Sequence, residues 1–234
     1  MLNLVHIKND LRQILRDPVM GILLFAPVLL IGVFKVMVIF LIPFLNSELN
    51  FDFTPYFIYL LAGVLIVISG MLGIVTGFMM LDDKDGNIAE LMSVTPLGRG
   101  GYLANRLSLA SFLTFIYSAL TIYVLNIVEV KAYSALLLSI LCAVYAAIIG
   151  LLIFFGADDK VKGLTFAKGL NVLGIFAFSD LFALKWFSAI SVIFPTYWIT
   201  SVLKSQNSYL VLIIATSVHS IWLLYLIYRF LSKK

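Results

Sequence analysis

The chain is poor in charge and in the side chains that enzymes use. Only 12% of its 234 residues are charged and 62% are hydrophobic, whereas soluble domains carry roughly 25% charged residues. It has one cysteine, which excludes an intrachain disulfide, and we expect Cys142 to be a small core residue of an apolar segment. The main solvent of such a chain must be lipid.

Motifs for catalysis and for nucleotide binding are missing as well. No G-x-x-x-x-G-K-S/T sequence occurs, so the chain itself is not expected to bind ATP or Mg²⁺. His6 and His219 are isolated and lack the spacing of a metal site. We therefore expect no enzyme and no cofactor in this chain. The net charge of +4 does not indicate nucleic acid, because the basic residues lie at the ends of apolar segments.

Long apolar segments dominate what is present. A helix needs about 20 apolar residues to cross a hydrocarbon core of roughly 30 Å, and in lipid its backbone groups must be paired internally. The sequence therefore predicts an all-α integral membrane protein, a single transmembrane domain over residues 1–234. Its six predicted spans are Val19–Leu45, Tyr56–Leu81, Asn105–Val128, Ser134–Gly156, Leu170–Phe194 and Tyr209–Tyr228.

The distribution of Lys and Arg predicts the orientation of these spans. If the N-terminus is cytoplasmic, 12 of the 16 basic residues lie in cytoplasmic segments, with Lys35 inside the first span and only Lys131, Lys185 and Lys204 in outer segments. Basic residues favour the cytoplasmic side. We expect a multi-pass protein of the bacterial cell membrane with both termini in the cytoplasm.

Residues 1–17 have the pattern of a surface helix. Apolar residues recur at helical spacing with basic residues between them, which is typical of an amphipathic helix in the membrane interface. A plain basic flank of the first span is the alternative. Pro18 restricts Asp17 and should end this helix. The pattern consists of Leu4, Ile7, Leu11, Ile14 and Leu15, interleaved with Lys8, Arg12 and Arg16.

The longest polar stretch, residues 82–99, lies between spans two and three on the cytoplasmic side. Asn87 and Glu90 have the spacing of a capping box, and Pro96 should stop the helix that they begin. Its apolar face would carry Ile88, Leu91 and Met92. Such a helix docks in the groove of a partner or lies on the membrane. Acidic residues beside it argue against an anionic leaflet; they are Asp82, Asp83 and Asp85.

The same stretch resembles the permeases of ABC-2 type transporters. The resemblance lies in Gly86-Asn87-Ile88-Ala89-Glu90-Leu91, Val94-Thr95-Pro96-Leu97 and Tyr102-Leu103-Ala104. It implies that residues 82–99 hold a coupling helix that docks in a cleft of an ATPase subunit, with Asn87 where the family commonly has Thr. The implied ATPase-coupling residues are Gly86, Asn87, Ile88, Glu90, Leu91, Met92, Thr95 and Pro96.

This resemblance also implies a function. The chain would be the permease subunit of an ABC exporter, and a separate cytoplasmic ATPase would bind ATP and Mg²⁺. Six spans are too few to enclose a pathway, so a second identical or related permease would be required. The subgroup exports amphipathic drugs or antimicrobial peptides. A secondary transporter and the substrate-binding membrane subunit of an energy-coupled importer are the alternatives.

Charged residues interrupt two of the predicted spans. Asp180 would lie near mid-membrane in a straight fifth span. It either faces the bundle or pairs with a base, or the helix breaks near it and Leu181–Phe194, which contains Lys185, forms a re-entrant segment; the ABC-2 resemblance favours the re-entrant segment before span six. Tyr197 and Trp198 would then be interface anchors. Lys35 either extends to the outer interface or lines a pathway.

Two further features leave their roles open. Gly70, Gly73 and Gly77 share one face of span two, which suits close helix packing within the chain or between subunits. The second cytoplasmic loop, Ala157–Gly169, is either a solvated basic flank or another surface for a soluble partner.

Overall fold

The computed structural model describes residues 4–49, 52–86, 88, 91, 98–182 and 184–232, and these residues are almost entirely helical with no strand among them. Six helical segments are long and apolar enough to cross a membrane, which confirms the predicted fold class. They are Pro18–Glu48, Thr54–Asp85, Gly98–Leu125, Ala132–Gly156, Lys160–Phe182 and Tyr209–Ser232.

Ten α-helices within the described residues build these segments and the connections between them. In chain order they are α1 Leu4–Arg16, α2 Pro18–Val36, α3 Ile42–Leu49, α4 Phe57–Asp85, α5 Gly98–Leu125, α6 Ala132–Gly156, α7 Lys160–Leu170, α8 Lys185–Ser191, α9 Pro195–Lys204 and α10 Tyr209–Ser232. A π-helical turn, Met37–Leu41, joins α2 to α3, and 3₁₀ segments cover Thr54–Tyr56 and Asn171–Phe182.

The predicted N-terminal helix is present as α1. It ends at Arg16, and the carboxylate of Asp17 then accepts hydrogen bonds from the backbone N–H groups of Val19 (2.9 Å) and Met20 (3.1 Å). This cap starts α2 with Pro18 in the first helical position, where proline is tolerated. The side chain of Ile14 is buried against the bundle, while Leu15 is exposed.

Helices α4 and α6 form the centre of the bundle, and glycines let them approach closely. A Cβ atom on Gly73 would lie 2.7 Å from the carbonyl oxygen of Ala146, and one on Gly77 would lie 2.7 Å from Cβ of Ile153. A Cβ atom on Gly150 of α6 would likewise lie 2.8 Å from Cγ2 of Thr76. The glycine face of span two is therefore a contact within the chain, which decides the question that the sequence left open for Gly73 and Gly77.

The fifth span differs from its predicted bounds. It begins at Lys160 rather than Leu170, because the side chain of Asp159 accepts a hydrogen bond from the N–H of Lys162 (2.8 Å) and caps α7. The predicted loop Ala157–Gly169 is thereby reduced to residues 157–159. The span ends at Phe182, so Asp180 lies near its end and not near its middle.

Two short helices follow the fifth span, and the second of them extends to Lys204, beyond the predicted bound of the re-entrant segment at Phe194. α8 and α9 meet at an angle of 105°, as expected for a re-entrant segment before span six. Pro195 starts α9, and the indole N–H groups of Trp198 and Trp222 donate to the carbonyl oxygens of Val192 (2.8 Å) and Ile193 (2.9 Å) in the turn. Trp198 is thus a buried cap of the turn rather than an interface anchor.

Candidate functional site

The two ends of the bundle carry its polar side chains. We call the end that holds Asp17, Asp82, Arg106 and Asp158 the N-terminal end. The end that holds Tyr59, Lys131, Asp180 and Lys204 is the opposite end. Predicted functional residues lie at both ends, and a large apolar cleft lies between them.

A buried ion-pair junction joins three helices at the N-terminal end. Arg106 on α5 donates to both carboxylate oxygens of Asp83 on α4, at 2.5 and 2.7 Å, and to Asp10 on α1 at 2.5 Å. The hydroxyl of Tyr102 donates to Asp83 at 2.8 Å. The Asp83 side chain is fully buried and that of Arg106 is only 10% exposed. A bidentate guanidinium–carboxylate pair fixes geometry as well as charge.

This junction corrects the interpretation of the polar stretch. Asp82 and Asp83 belong to the last turn of α4, which runs to Asp85, so their charges lie at the C-terminal end of a helix. Negative charge is unfavourable at a helix C-terminus. Arg106 offsets the charge of Asp83, and a second cation offsets that of Asp82.

The second cation is Lys160 at the start of α7. Its Nζ lies 2.6 Å from Asp17 and 2.7 Å from Asp82. Burial raises the pKa of the Asp17 carboxyl, but the hydrogen bond from Lys160 and those from the N–H groups of Met20 and Val19 outweigh it and leave the pKa below its usual value. The starts of spans one and five are thereby tied to the end of span two.

Of the predicted coupling residues, three lie among the described residues. Gly86 ends α4 and its N–H donates to the carbonyl of Asp82 at 3.0 Å. Ile88 and Leu91 are helical; Ile88 is half-buried, with side-chain atoms near Gly86, and Leu91 is 64% exposed. Five others lie outside the described residues: Asn87, Glu90, Met92, Thr95 and Pro96.

The stretch that contains the predicted coupling helix is held at both of its ends. It leaves α4 three residues after Asp83 and reaches Arg106 through the first turns of α5. Gly98 begins α5 with a φ of +63°, a conformation that suits glycine. Arg106 binds both Asp83 on α4 and Asp10 on α1. A displacement of residues 86–97 would therefore be transmitted to α4, α5 and α1 together.

A cleft of about 950 Å³ opens beside the central helix α4. Its walls come from α2, α4, α6 and the 3₁₀ part of the fifth span, and nearly all of its lining is apolar. Among the lining residues are the aromatic side chains Phe34, Tyr56, Tyr59, Tyr145 and Phe178 and the glycines Gly63, Gly70 and Gly174. Pockets of roughly 300–1,000 Å³ with such walls suit small amphipathic molecules.

Asp180 lies beside this cleft, at the opposite end of the bundle. Its carboxylate pairs with Lys204 at 2.6 Å, and Lys204 also donates to the hydroxyl of Tyr59 at 2.6 Å. The Lys204 ammonium lies 4.4 Å from the centre of the Tyr59 ring. Asp180 thus pairs with a base, as one interpretation had it, and the bent helix pair of the other interpretation follows in the chain. No sequence pattern points to Tyr59 or Lys204, because the two residues lie far apart in the chain.

The other two predicted pathway residues do not join this cluster. Lys35 donates to the carbonyl of Leu125 at the end of α5 (3.3 Å) and lines a separate cleft of about 660 Å³ with Asn126 and Ser139. Unpaired carbonyls at a helix C-terminus attract cations. Lys185 is exposed at the start of α8.

No group of three or more metal-binding side chains occurs within the described residues. His219 is buried in α10, where its Nδ1 lies 2.8 Å from the carbonyl oxygen of Ala215.

Comparison with known proteins gives one family. The family model described as "Fluoroquinolones export permease protein Rv2686c-like" matches residues 10–228. Two relatives from Mycobacterium tuberculosis are each 27% identical over 195 residues, which cover 82% of this chain and 77% of the relative. They are fluoroquinolones export permease protein Rv2686c of strain ATCC 25618 / H37Rv and fluoroquinolones export permease protein MT2760 of strain CDC 1551 / Oshkosh. No solved structure matches.

Proposed function

The chain belongs to the Rv2686c-like family of fluoroquinolones export permeases, and from this premise we propose that it is the membrane subunit of an ATP-driven exporter of amphipathic drugs. A separate cytoplasmic ATPase binds ATP and Mg²⁺ and docks on residues 86–97. A second permease, identical or related, completes the pathway.

The observation that carries this proposal is the junction of Asp10, Asp83 and Arg106 at the base of residues 86–97. A partner that pushes on this stretch acts directly on α4 and α5, because the ion pair locks them together. α4 also packs along α6 through Gly73 and Gly77. A local push thereby becomes a movement of rigid helices, the usual form of a switching transition.

The apolar cleft supports the proposal that the substrate is an amphipathic drug. Its aromatic walls offer stacking surfaces for a planar ring system, and the Asp180–Lys204 pair beside it offers both signs of charge. An aromatic drug that carries a carboxylate and an amine fits such a site. The names of the two relatives, which specify fluoroquinolones, agree with this chemistry.

Docking is tested by co-purification with the ATPase. Glu90→Lys and Leu91→Asp should abolish the complex while leaving membrane insertion intact, because they reverse the charge and remove the apolar contact of the proposed helix. Glu129→Lys is the matched charge reversal, since Glu129 is exposed at the opposite end, and it should leave the complex intact. If the complex survives both loop substitutions, the docking proposal is wrong.

Substrate binding is tested by filling the cleft. Gly70→Leu and Gly174→Leu place side chains into it and should raise fluoroquinolone accumulation in cells that express the complete exporter. Gly32→Leu is the control, because a Cβ atom at Gly32 meets nothing within 4 Å. Export by the chain without any ATPase would instead identify a secondary transporter.

A further inference from the structure

A pocket of about 530 Å³ lies between α1, the start of α2 and the end of α4. Four of its lining residues share one face of α1, because they are spaced three and four apart. These residues are Asn9, Arg12, Gln13 and Arg16, and Asp17, Pro18, Met20 and Asp82 complete the pocket.

The pocket contains two unused positive charges. Arg12 and Arg16 are exposed, and neither binds any residue that the structure describes. The two acids of the pocket, by contrast, are both occupied by Lys160, at 2.6 Å from Asp17 and 2.7 Å from Asp82. An anion that enters the pocket therefore meets two free guanidinium groups and carboxylates that are already neutralised in part.

An exposed apolar surface continues directly from this pocket. On α1, Leu11 and Leu15 are 39% and 53% exposed and lie on the face next to the arginines. Along α2, exposed apolar side chains then extend away from Pro18 toward the middle of the span; they are Val19, Ile22, Phe25 and Leu29. The surface thus combines a cationic pocket with an apolar stripe that begins at its edge.

We propose that this surface binds an anionic diacyl phospholipid. Arg12 and Arg16 hold the phosphate, because guanidinium groups bind phosphate oxygens in a bidentate manner. The acyl chains lie along the exposed stripe of α2. Basic pockets at the ends of membrane helices suit anionic headgroups. The bound lipid would fix α1, and with it Asp10, against the bundle.

Native mass spectrometry of the detergent-solubilised full chain, titrated with phosphatidylglycerol, tests the proposal. Arg12→Gln/Arg16→Gln should bind this lipid about 30-fold more weakly, since each basic residue near an anionic surface contributes about 1 kcal/mol and about 1.4 kcal/mol is tenfold in affinity. Lys162→Gln/Lys168→Gln removes the same charge from exposed positions of α7 at the same end and should bind as the unmodified chain does.

Other outcomes decide against the proposal. An equal loss of lipid affinity in both double variants would mean that bulk charge alone attracts the lipid. Unchanged lipid affinity in the arginine variant would exclude the pocket as the binding site. If inorganic phosphate displaces the lipid at equal concentration, the ligand is a soluble anion. If the arginine variant keeps the lipid but loses the ATPase, the surface is a protein contact. Should Arg12→Gln/Arg16→Gln fail to fold, Arg12→Lys/Arg16→Lys keeps the charge without the bidentate geometry and should still weaken binding several-fold.

Discussion

Arg106 on α5 and Asp83 on α4 form a bidentate ion pair in which the carboxylate is fully buried. The hydroxyl of Tyr102 on α5 donates to the same carboxylate, so two side chains of α5 hold the end of α4. The pair is extended by Asp10, so the N-terminal helix belongs to the same unit. We regard this junction as the mechanical base of the proposed coupling stretch.

Arg106→Met should destabilise the protein by about 3–5 kcal/mol, because it leaves the buried carboxylate of Asp83 without a cation. Asp83→Leu/Arg106→Met removes both charges of the pair and should cost less than the single change, although Tyr102 then loses its acceptor. The unfolding temperatures of the single and the double variant, measured in detergent, provide the comparison. A double variant less stable than Arg106→Met would contradict this account of the junction.

Gly73→Ala should separate α4 from α6 and lower stability by about 1–3 kcal/mol, because the new methyl group overlaps the Ala146 carbonyl and must force the helices apart. Gly32→Ala provides the control in α2, where the added Cβ has open space. There the change should be neutral or stabilise by about 0.5–1 kcal/mol, as alanine restricts the unfolded chain more than glycine. Equal unfolding temperatures in both variants would rule out close packing at Gly73.

Acid should weaken the contact between Asp17 and Lys160. The pKa of Asp17 lies below its usual value in the folded protein, so its contribution is present above the unfolded pKa of about 3.9 and is lost as the pH falls through the folded value. Asp17→Asn keeps the helix cap but has no charge to titrate, so its stability should fall less between about pH 5 and about pH 3.

A second substitution at this position separates the cap from the charge. Asp17→Ala removes both, and at neutral pH it should be less stable than Asp17→Asn by about 1 kcal/mol. Unfolding temperatures measured across the pH range provide both comparisons. An acid dependence in Asp17→Asn as steep as that of the unmodified chain would show that other groups cause it.

Cysteine labelling checks the orientation. Asn87→Cys should react with a membrane-impermeant thiol reagent only after the cells are opened, because the distribution of basic residues predicts that the N-terminal end faces the cytoplasm. Glu129→Cys at the opposite end should react in intact cells. The native Cys142 is buried and should not interfere. Labelling of residue 87 in intact cells would reverse the topology.

Several features of the fold could be predicted because they depend on local composition. The six spans follow from apolar length, and the start of α2 follows from Asp17-Pro18, whose capping and restricted backbone act within a few residues. The break before span six was also predictable, since charges interrupt an apolar run and Pro195 follows. Its position after Phe182 could not be predicted, because it depends on α7 starting at Lys160.

The candidate site was less accessible to sequence reasoning. The residues of the predicted coupling helix share one short stretch, and a capping pattern with an apolar face identifies such a stretch. Asp83 lies in the same polar stretch, but nothing in that stretch predicts that Arg106 binds both Asp83 and Asp10. Tyr59, Asp180 and Lys204 come from three separate segments, and no periodicity connects them.

By itself, the sequence determined that the chain is helical and lies in lipid, because hydropathy and backbone pairing in a membrane act on each segment separately. Only the tertiary structure decided which charges meet. A lone charge in an apolar bundle must find a partner, and the partner is chosen by which helices pack together. The close contact of Gly73 with Ala146 fixes one such pair of helices, and the ion pair of Arg106 with Asp83 fixes another.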